Sequence, residues 1–145
     1  MAGARALLGV LILLPLYAQS PAPPPDSLAQ GLKALDANQP AAAESLFRKA
    51  LEANPSDLQA NFDLALVLGM EHKDADAVAA WRKTLELKPG LYEAELNLGI
   101  LLTRDHQPGD ALPLLKQAAD AKPSEFRTRF YYGQALFDAG EFADA

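Results

Sequence analysis

Six sets of residues recur along this chain with one fixed 34-residue period. One set contains only prolines, one only alanines, one glycine or alanine, and three contain larger apolar residues. The sets are Pro55, Pro89 and Pro123; Ala43, Ala77, Ala111 and Ala145; Gly31, Ala65, Gly99 and Gly133; Phe47, Trp81 and Leu115; Leu64, Leu98 and Tyr132; and Leu68, Leu102 and Leu136. A fixed period of this length predicts a stack of similar units, in which each unit buries its apolar face against a neighbour.

Each repeating unit is predicted to be a hairpin of two α-helices. Within one unit, Leu64 and Leu68 are four residues apart, and Ala77, Trp81 and Leu85 follow at the same spacing. This spacing places the apolar side chains on one face of a helix. The proline set is expected to end each second helix, because the residue before a proline is disfavoured in the α conformation.

The residues near the prolines predict where the helices begin. Ser56 and Ser124 follow a proline and are predicted N-caps, and Ser56 with Gln59 has the spacing of a capping box. Pro113 lies inside a predicted second helix, where a proline is tolerated in the first turn. That helix is therefore expected to begin near Asp110.

The small residues predict where helices approach each other closely. The alanine set, which includes Ala77, is expected to lie where the two helices of one hairpin cross. The glycine or alanine set, which includes Gly99, is expected to lie at a second close approach. The large set, Phe47, Trp81 and Leu115, is expected to fill the space between neighbouring hairpins, because one hairpin cannot bury its own apolar face.

This pattern resembles the tetratricopeptide repeat. In that family a small residue in the first helix, an alanine and a large apolar residue in the second, and a final proline recur once per repeat, as Gly99, Ala111, Leu115 and Pro123 do here. The resemblance implies an all-α fold: a right-handed α-solenoid of stacked antiparallel helical hairpins, with three full repeats and a truncated fourth. The expected repeat domain is 26–145, with repeats at about 24–57, 58–91, 92–125 and 126–145.

The segment 1–25 has a different character from the repeats. Five residues with one positive charge precede an uncharged apolar run at 6–18, which is the pattern of a secretory signal peptide. The run is shorter than the about 20 residues that a membrane-spanning helix needs. The prediction is a signal peptide at 1–18, cleaved after Ala18 or Ser20, and a proline-rich spacer at 19–25. The protein would be exported to the periplasm or secreted and would meet the membrane only transiently; an uncleaved signal anchor is the alternative.

Composition excludes several kinds of function. The chain has 19 acidic and 13 basic residues, a net charge of −6, and no run of lysine or arginine. This charge has the wrong sign for a phosphate backbone, so nucleic acid is not an expected partner. The chain contains no cysteine, which excludes disulfides, thiolate metal sites and cysteine nucleophiles.

No pattern of catalytic or metal-binding residues is found. His72 and His106 are separated by one period and share a set with Asn38 and Gly140. Asn, His and Gly are enriched at left-handed backbone positions, so this set predicts a turn that ends each first helix. The acidic pairs, Asp74 with Asp76 and Glu93 with Glu95, are two residues apart, and such residues point to different faces of a helix. We therefore predict that the protein is not an enzyme and that it binds no cofactor and no metal.

A peptide-binding groove is the site that the resemblance implies. In the family, the first helices of the hairpins line a concave groove whose exposed side chains select the ligand. The candidate residues are Leu28, Leu32, Phe62, Asp63, Leu66, Leu96, Asn97, Ile100, Phe130 and Tyr131. Because this stripe is apolar with few charges, a clamp for a terminal carboxylate is disfavoured, and an apolar or amphipathic segment is the expected ligand. The alternative is that part of the stripe packs against neighbouring first helices.

The last predicted repeat is short, at residues 126–145. A stub of a second helix is not stable alone, and Phe130 and Phe137 would have an open flank. We therefore expect either a fragment of a longer chain or an end covered by a partner, including a second copy.

Two function classes follow. The first is an exported protein-binding adaptor, and the second is an accessory part of a larger polypeptide whose working domain lies beyond residue 145. RNA binding, which needs a basic groove, is a weaker third.

Overall fold

Helical hairpins follow one another through the part of the chain that the computed structural model describes, residues 26–141. Seven α-helices and no strands occur in this range, which confirms the predicted all-α solenoid. The helices are α1 (Ser27–Asp36), α2 (Pro40–Ala53), α3 (Leu58–Met70), α4 (Asp74–Leu87), α5 (Tyr92–Arg104), α6 (Pro108–Ala121) and α7 (Phe126–Ala139). The predicted signal peptide and spacer lie outside the described residues. None of the helices described is both long enough and apolar enough to cross a membrane.

Packing follows the order of the helices along the chain. The closest contacts are within the pairs α1–α2, α3–α4 and α5–α6, and the second helix of each pair also packs on the first helix of the next. Among first helices, α5 and α7 pack together more closely than α3 and α5 do. The gap between α3 and α5 is therefore the more open of the two.

The turns that end the first helices have the predicted backbone. Asn38, His72 and His106 have φ values of 56°, 56° and 54°, and Gly140 has φ 82°. These residues lie in the left-handed region, so the prediction from their shared spacing is confirmed. Each turn is closed by the same backbone hydrogen bond; in the second hairpin the N–H of Lys73 donates to the carbonyl of Leu68 at 2.9 Å.

The predicted caps are wrong by one residue. The N-cap of α3 is Asp57, whose Oδ1 accepts from the N–H of Ala60 at 2.9 Å. Ser56 lies inside the preceding turn, where its N–H donates to Oδ1 of Asn54 at 3.2 Å. Gln59 forms no capping box with it, because its amide donates to Asp63.

Two further helix starts also differ from prediction. The N-cap of α7 is Glu125 instead of Ser124, and no side chain caps this helix. Helix α6 begins at Pro108, two residues before the predicted start at Asp110, so Pro113 lies inside the helix. Pro108 is favoured as the first helical residue because its fixed φ is already helical.

The large apolar residues fill space within their own hairpins. A Cβ added to Gly31 would lie 2.5 Å from Cε1 of Phe47, and one added to Gly99 would lie 2.6 Å from Cγ of Leu115. Phe47 and Leu115 therefore pack directly on the glycine of the same hairpin. These contacts within a hairpin were not predicted from the sequence, and the expectation that the same side chains also fill the space between neighbouring hairpins stays a prediction.

Candidate functional site

The ten residues predicted to form a groove all lie on first helices, but they differ in exposure. Leu32 and Phe130 are exposed, whereas Leu28, Phe62, Leu66, Asn97 and Tyr131 are half-buried and Asp63, Leu96 and Ile100 are buried. Leu96 and Ile100 belong to the hydrophobic core cluster. Part of the stripe therefore packs inside the solenoid, and the remainder faces solvent.

One cavity brings three of the predicted residues together. It has a volume of about 360 Å³ and opens between α3 and α5, with Leu66, Asn97 and Ile100 in its lining. The other lining residues are Ala65, Gly69, Met70, Trp81, Leu101, Arg104 and Arg127. Phe62 and Leu28 line two separate depressions, and the predicted residues therefore do not form a single continuous pocket.

A buried aromatic ring forms part of the cavity wall. Trp81 is only 2% exposed and makes an edge-to-face contact with Phe62, with ring centroids 5.1 Å apart. Gly69 leaves the cavity open above α3, because a Cβ added there would meet no atom within 4 Å. A Cβ at residue 69 therefore fits without displacing the helices, and we expect a longer side chain there to extend into the cavity.

Two arginines at the cavity were not among the predicted site residues. Nη2 of Arg104 lies 3.2 Å from Oδ2 of Asp74, and 52% of the Arg104 side chain is exposed. The side chain of Arg127 forms no hydrogen bond or ion pair within residues 26–141. The sequence signal for Arg104 is its separation of one period from Met70, which also lines the cavity. It was missed because the site was predicted only from apolar sets and their immediate neighbours.

Two carboxylates are buried in first helices. Burial raises the pKa of Asp63, whose Oδ2 accepts from Nε2 of Gln59 at 2.8 Å. Burial also raises the pKa of Glu95, which is 3% exposed. The raised pKa values follow from desolvation, which disfavours the ionised form. Within the described range, no cluster of three or more His, Asp or Glu could hold a metal ion.

Aromatic side chains are exposed along α7. Phe126, Phe130 and Phe137 are 73%, 53% and 59% exposed, and the rings of Phe126 and Phe130 stack with centroids 6.1 Å apart. A Cβ added to Gly133 would meet nothing within 4 Å, unlike one added to Gly99. This face of α7 is therefore uncovered by the part of the chain described.

The fold of residues 26–141 is an α-solenoid of helical hairpins, with an open cavity between two successive first helices, α3 and α5. Its sequence matches the family model of the tetratricopeptide repeat at residues 28–92 and 96–145. The chain belongs to the tetratricopeptide repeat family, whose fold serves as a protein–protein interaction scaffold.

Solved structures show the same fold at low sequence identity. YrrB, described as a tetratricopeptide repeat protein with an unusual peptide-binding site, is 23% identical with a TM-score of 0.77, and the match covers 81% of this chain and 61% of that one. Residues 41 to the end of MamA from Desulfovibrio magneticus RS-1 are 21% identical with a TM-score of 0.74, and the match covers 79% of this chain and 65% of that solved chain.

A mutant O-GlcNAc transferase from Thermobaculum terrenum is 24% identical with a TM-score of 0.63, and the match covers 76% of this chain and 21% of the transferase. The match thus spans less than two thirds of the length of each of these solved chains. No curated protein sequence matches it.

Proposed function

We propose that this protein is an exported scaffold that binds an apolar or amphipathic segment of another protein in the cavity between α3 and α5. The observation that carries the proposal is the cavity itself: it is open, the buried ring of Trp81 lies in its wall, and Leu66 and Ile100 line it. Amphipathic segments bind in grooves that offer apolar side chains as anchors for their own apolar face.

The exposed residues on either side of the cavity extend this surface. Leu32 lies on α1 and Phe130 on α7, so a bound segment could cross successive first helices. YrrB, which shares the fold, is described as having a peptide-binding site. That description supports a peptide ligand here.

The proposed binding is tested by filling the cavity. A photo-crosslinking amino acid is placed at residue 70, and the crosslinked partner is recovered from the envelope fraction of the host. Gly69→Leu is expected to abolish this crosslink. Ala79→Leu is the matched control, since Ala79 is exposed on α4 and does not line the cavity. Equal crosslinking by both variants would contradict the proposed site, provided that both retain the wild-type melting temperature.

Export is tested independently of binding. The intact mass of the protein purified from the host envelope identifies its first residue. We expect residue 19 or 21, as cleavage after Ala18 or Ser20 requires. A full-length protein in the membrane fraction would support the signal anchor instead. A full-length protein confined to the cytoplasm would overturn export.

A second candidate function is an accessory repeat domain of a larger polypeptide. The similarity to 21% of the transferase chain favours it, because the same fold there forms part of a much longer protein. The coding sequence after codon 145 decides this. An immediate stop codon in the intact gene would remove the candidate.

A further inference from the structure

The charge around the cavity differs in sign from that of the whole chain. Arg104 and Arg127 line the cavity together with the amide of Asn97, and no acidic residue lines it. The full chain carries a net charge of −6. Arg104 is already paired with Asp74, which does not line the cavity, so Arg127 supplies the unpaired positive charge there. A local positive field of this kind attracts anions.

Both guanidinium groups retain donors for a ligand. Arg104 forms one ion pair, through Nη2 to Asp74, and a guanidinium carries five N–H donors in total. The guanidinium group of Arg127 is exposed and has no hydrogen-bonding or charged partner among residues 26–141. The two side chains come from different helices, α5 and α7, so they approach the cavity from two sides. Arginine is suited to carboxylates because its planar donors match the two carboxylate oxygens.

We propose that the cavity recognises an acidic side chain, Asp or Glu, within an internal segment of the partner. Arg104 and Arg127 bind its carboxylate. A neighbouring apolar side chain of the same segment packs against Leu66 and Ile100. The proposal rests on the proposed function, because it assumes that a peptide segment occupies this cavity. It names the ligand's chemistry: an acidic residue next to an apolar one.

An internal segment fits better than a chain terminus. Exposed or half-buried apolar side chains continue on both sides of the cavity, with Leu32 and Phe62 toward the first hairpin and Phe130 and Tyr131 on α7. A segment that runs through the cavity can contact both groups, whereas one that ends there contacts only one. The buried apolar area, and hence the affinity, is larger in the first case.

The test begins with selection of ligands. A library of random peptides, displayed in a loop so that neither terminus is free, is selected against the immobilised full chain and then counter-selected against Gly69→Leu. We expect the enriched peptides to carry Asp or Glu close to Leu, Ile or Phe. Synthetic versions, acetylated and amidated, are then measured by fluorescence anisotropy.

Variants of the arginines assign the carboxylate contact. Replacing the acidic residue of the peptide by its amide is expected to weaken binding about tenfold, which is typical of a charge-assisted hydrogen bond. Arg127→Gln is expected to cause the same loss for the acidic peptide and no further loss for the amide peptide. Arg129→Gln is the control, since Arg129 is exposed on α7 but does not line the cavity.

Arg104→Lys keeps a positive charge that can pair with Asp74, so that weaker binding by this variant does not result from loss of the ion pair. We expect it to weaken binding of the acidic peptide at an unchanged melting temperature.

The outcomes separate this inference from the proposed function. One outcome is that the selected peptides lose binding to Gly69→Leu and yet carry no acidic residue, or bind Arg127→Gln as tightly as the wild type. Such peptides would overturn the recognition of an acidic side chain and leave the proposed binding site in place. Tighter binding of peptides with a free carboxyl terminus would overturn the internal segment. If no selected peptide is sensitive to Gly69→Leu, the proposed function fails and the inference with it.

Discussion

Gly99 and Gly133 occupy the same position in successive repeats but differ in their surroundings. Leu115 fills the space in front of Gly99, whereas the space in front of Gly133 is open within the described residues. Sequence alone assigned both glycines to close packing. Only the first of them is tightly packed in the described part of the chain, because the contact depends on a side chain from the following helix.

This difference predicts that the same substitution destabilises the protein at residue 99 but not at residue 133. Gly99→Val is expected to lower the free energy of unfolding by about 1–3 kcal/mol, because its side chain would overlap Leu115. Gly133→Val is expected to be neutral or slightly stabilising, since valine has a higher helix propensity than glycine. Urea unfolding followed by circular dichroism measures both, and equal losses would contradict the packing difference.

Glu95 shows how a buried charge affects stability. Burial raises its pKa above the ordinary 4.5. The folded state therefore holds the proton more tightly than the unfolded state, and stability falls as the pH rises above the ordinary value. Glu95→Gln is expected to raise the melting temperature at pH 7 and to lose this advantage below pH 4.5. Glu52→Gln, at an exposed position, is the control, and a similar rise there would contradict the explanation.

At the scale of helices, the start of α3 distinguishes the structure from the sequence prediction. Asp57→Ala is expected to cost about 1 kcal/mol, because it removes the hydrogen bond to the N–H of Ala60. Ser56→Ala is expected to have little effect, whereas the sequence predicted Ser56 to be the cap. Thermal unfolding of the two variants decides which residue caps the helix, and a larger loss for Ser56→Ala would restore the sequence prediction.

An ion network connects the first hairpin to the second. Glu44 on α2 lies 2.8 Å from Nε of Arg48 and 2.6 Å from Nζ of Lys73, which follows α3. Hydrogen bonds from Lys73 and Arg48 lower the pKa of Glu44 to about 2. The stabilisation from Glu44 is therefore complete above its ordinary pKa of 4.5 and is lost as the pH falls toward 2.

Removing this carboxylate should reduce the acid sensitivity of the protein. Glu44→Gln is expected to cost about 1 kcal/mol at pH 7, a modest value because the cations are half-exposed. Below pH 3 the difference from wild type should largely disappear. Melting temperatures from pH 2 to pH 7 measure this, and a constant difference across that range would show that the loss has another cause.

Across the whole molecule, two ion pairs repeat the spacing of the sequence. Arg48 contacts Asp76, and Arg82 contacts Asp110, at 3.3 and 3.4 Å. Each pair joins the second helices of neighbouring hairpins, and the second pair lies one repeat further along the chain than the first. Exposed pairs contribute little energy, so their regularity reflects a constant geometry between hairpins.

The uncovered face of α7 leads to a prediction about assembly. We expect two copies of the chain to associate through Phe126 and Phe130, because exposed aromatic clusters lose water-accessible area on association. The double variant Phe126→Ser, Phe130→Ser should sediment as a monomer at concentrations where the wild type forms a larger species. A monomeric wild type over the whole concentration range would remove this prediction.

Much of the fold was predictable because it depends on short-range rules. The helical spacing of apolar residues predicted the hairpins, and Asn38, His72, His106 and Gly140 marked the turns that need a left-handed residue. The helix starts were less predictable. Ser56 and Asp57 are both suitable caps by residue type, and only the path of the preceding turn selects Asp57.

The candidate site was only partly predictable. Leu66 and Ile100 have the same apolar character and the same position in their repeats, yet one is half-buried and the other buried. Arg127 lines the cavity although it belongs to the following repeat.

By itself, the sequence determined the repeat, the hairpins and the family, because these follow from spacing and residue type along one chain. The tertiary structure decided where the cavity opens and which charges face it, because both depend on how far helices from different repeats lie apart.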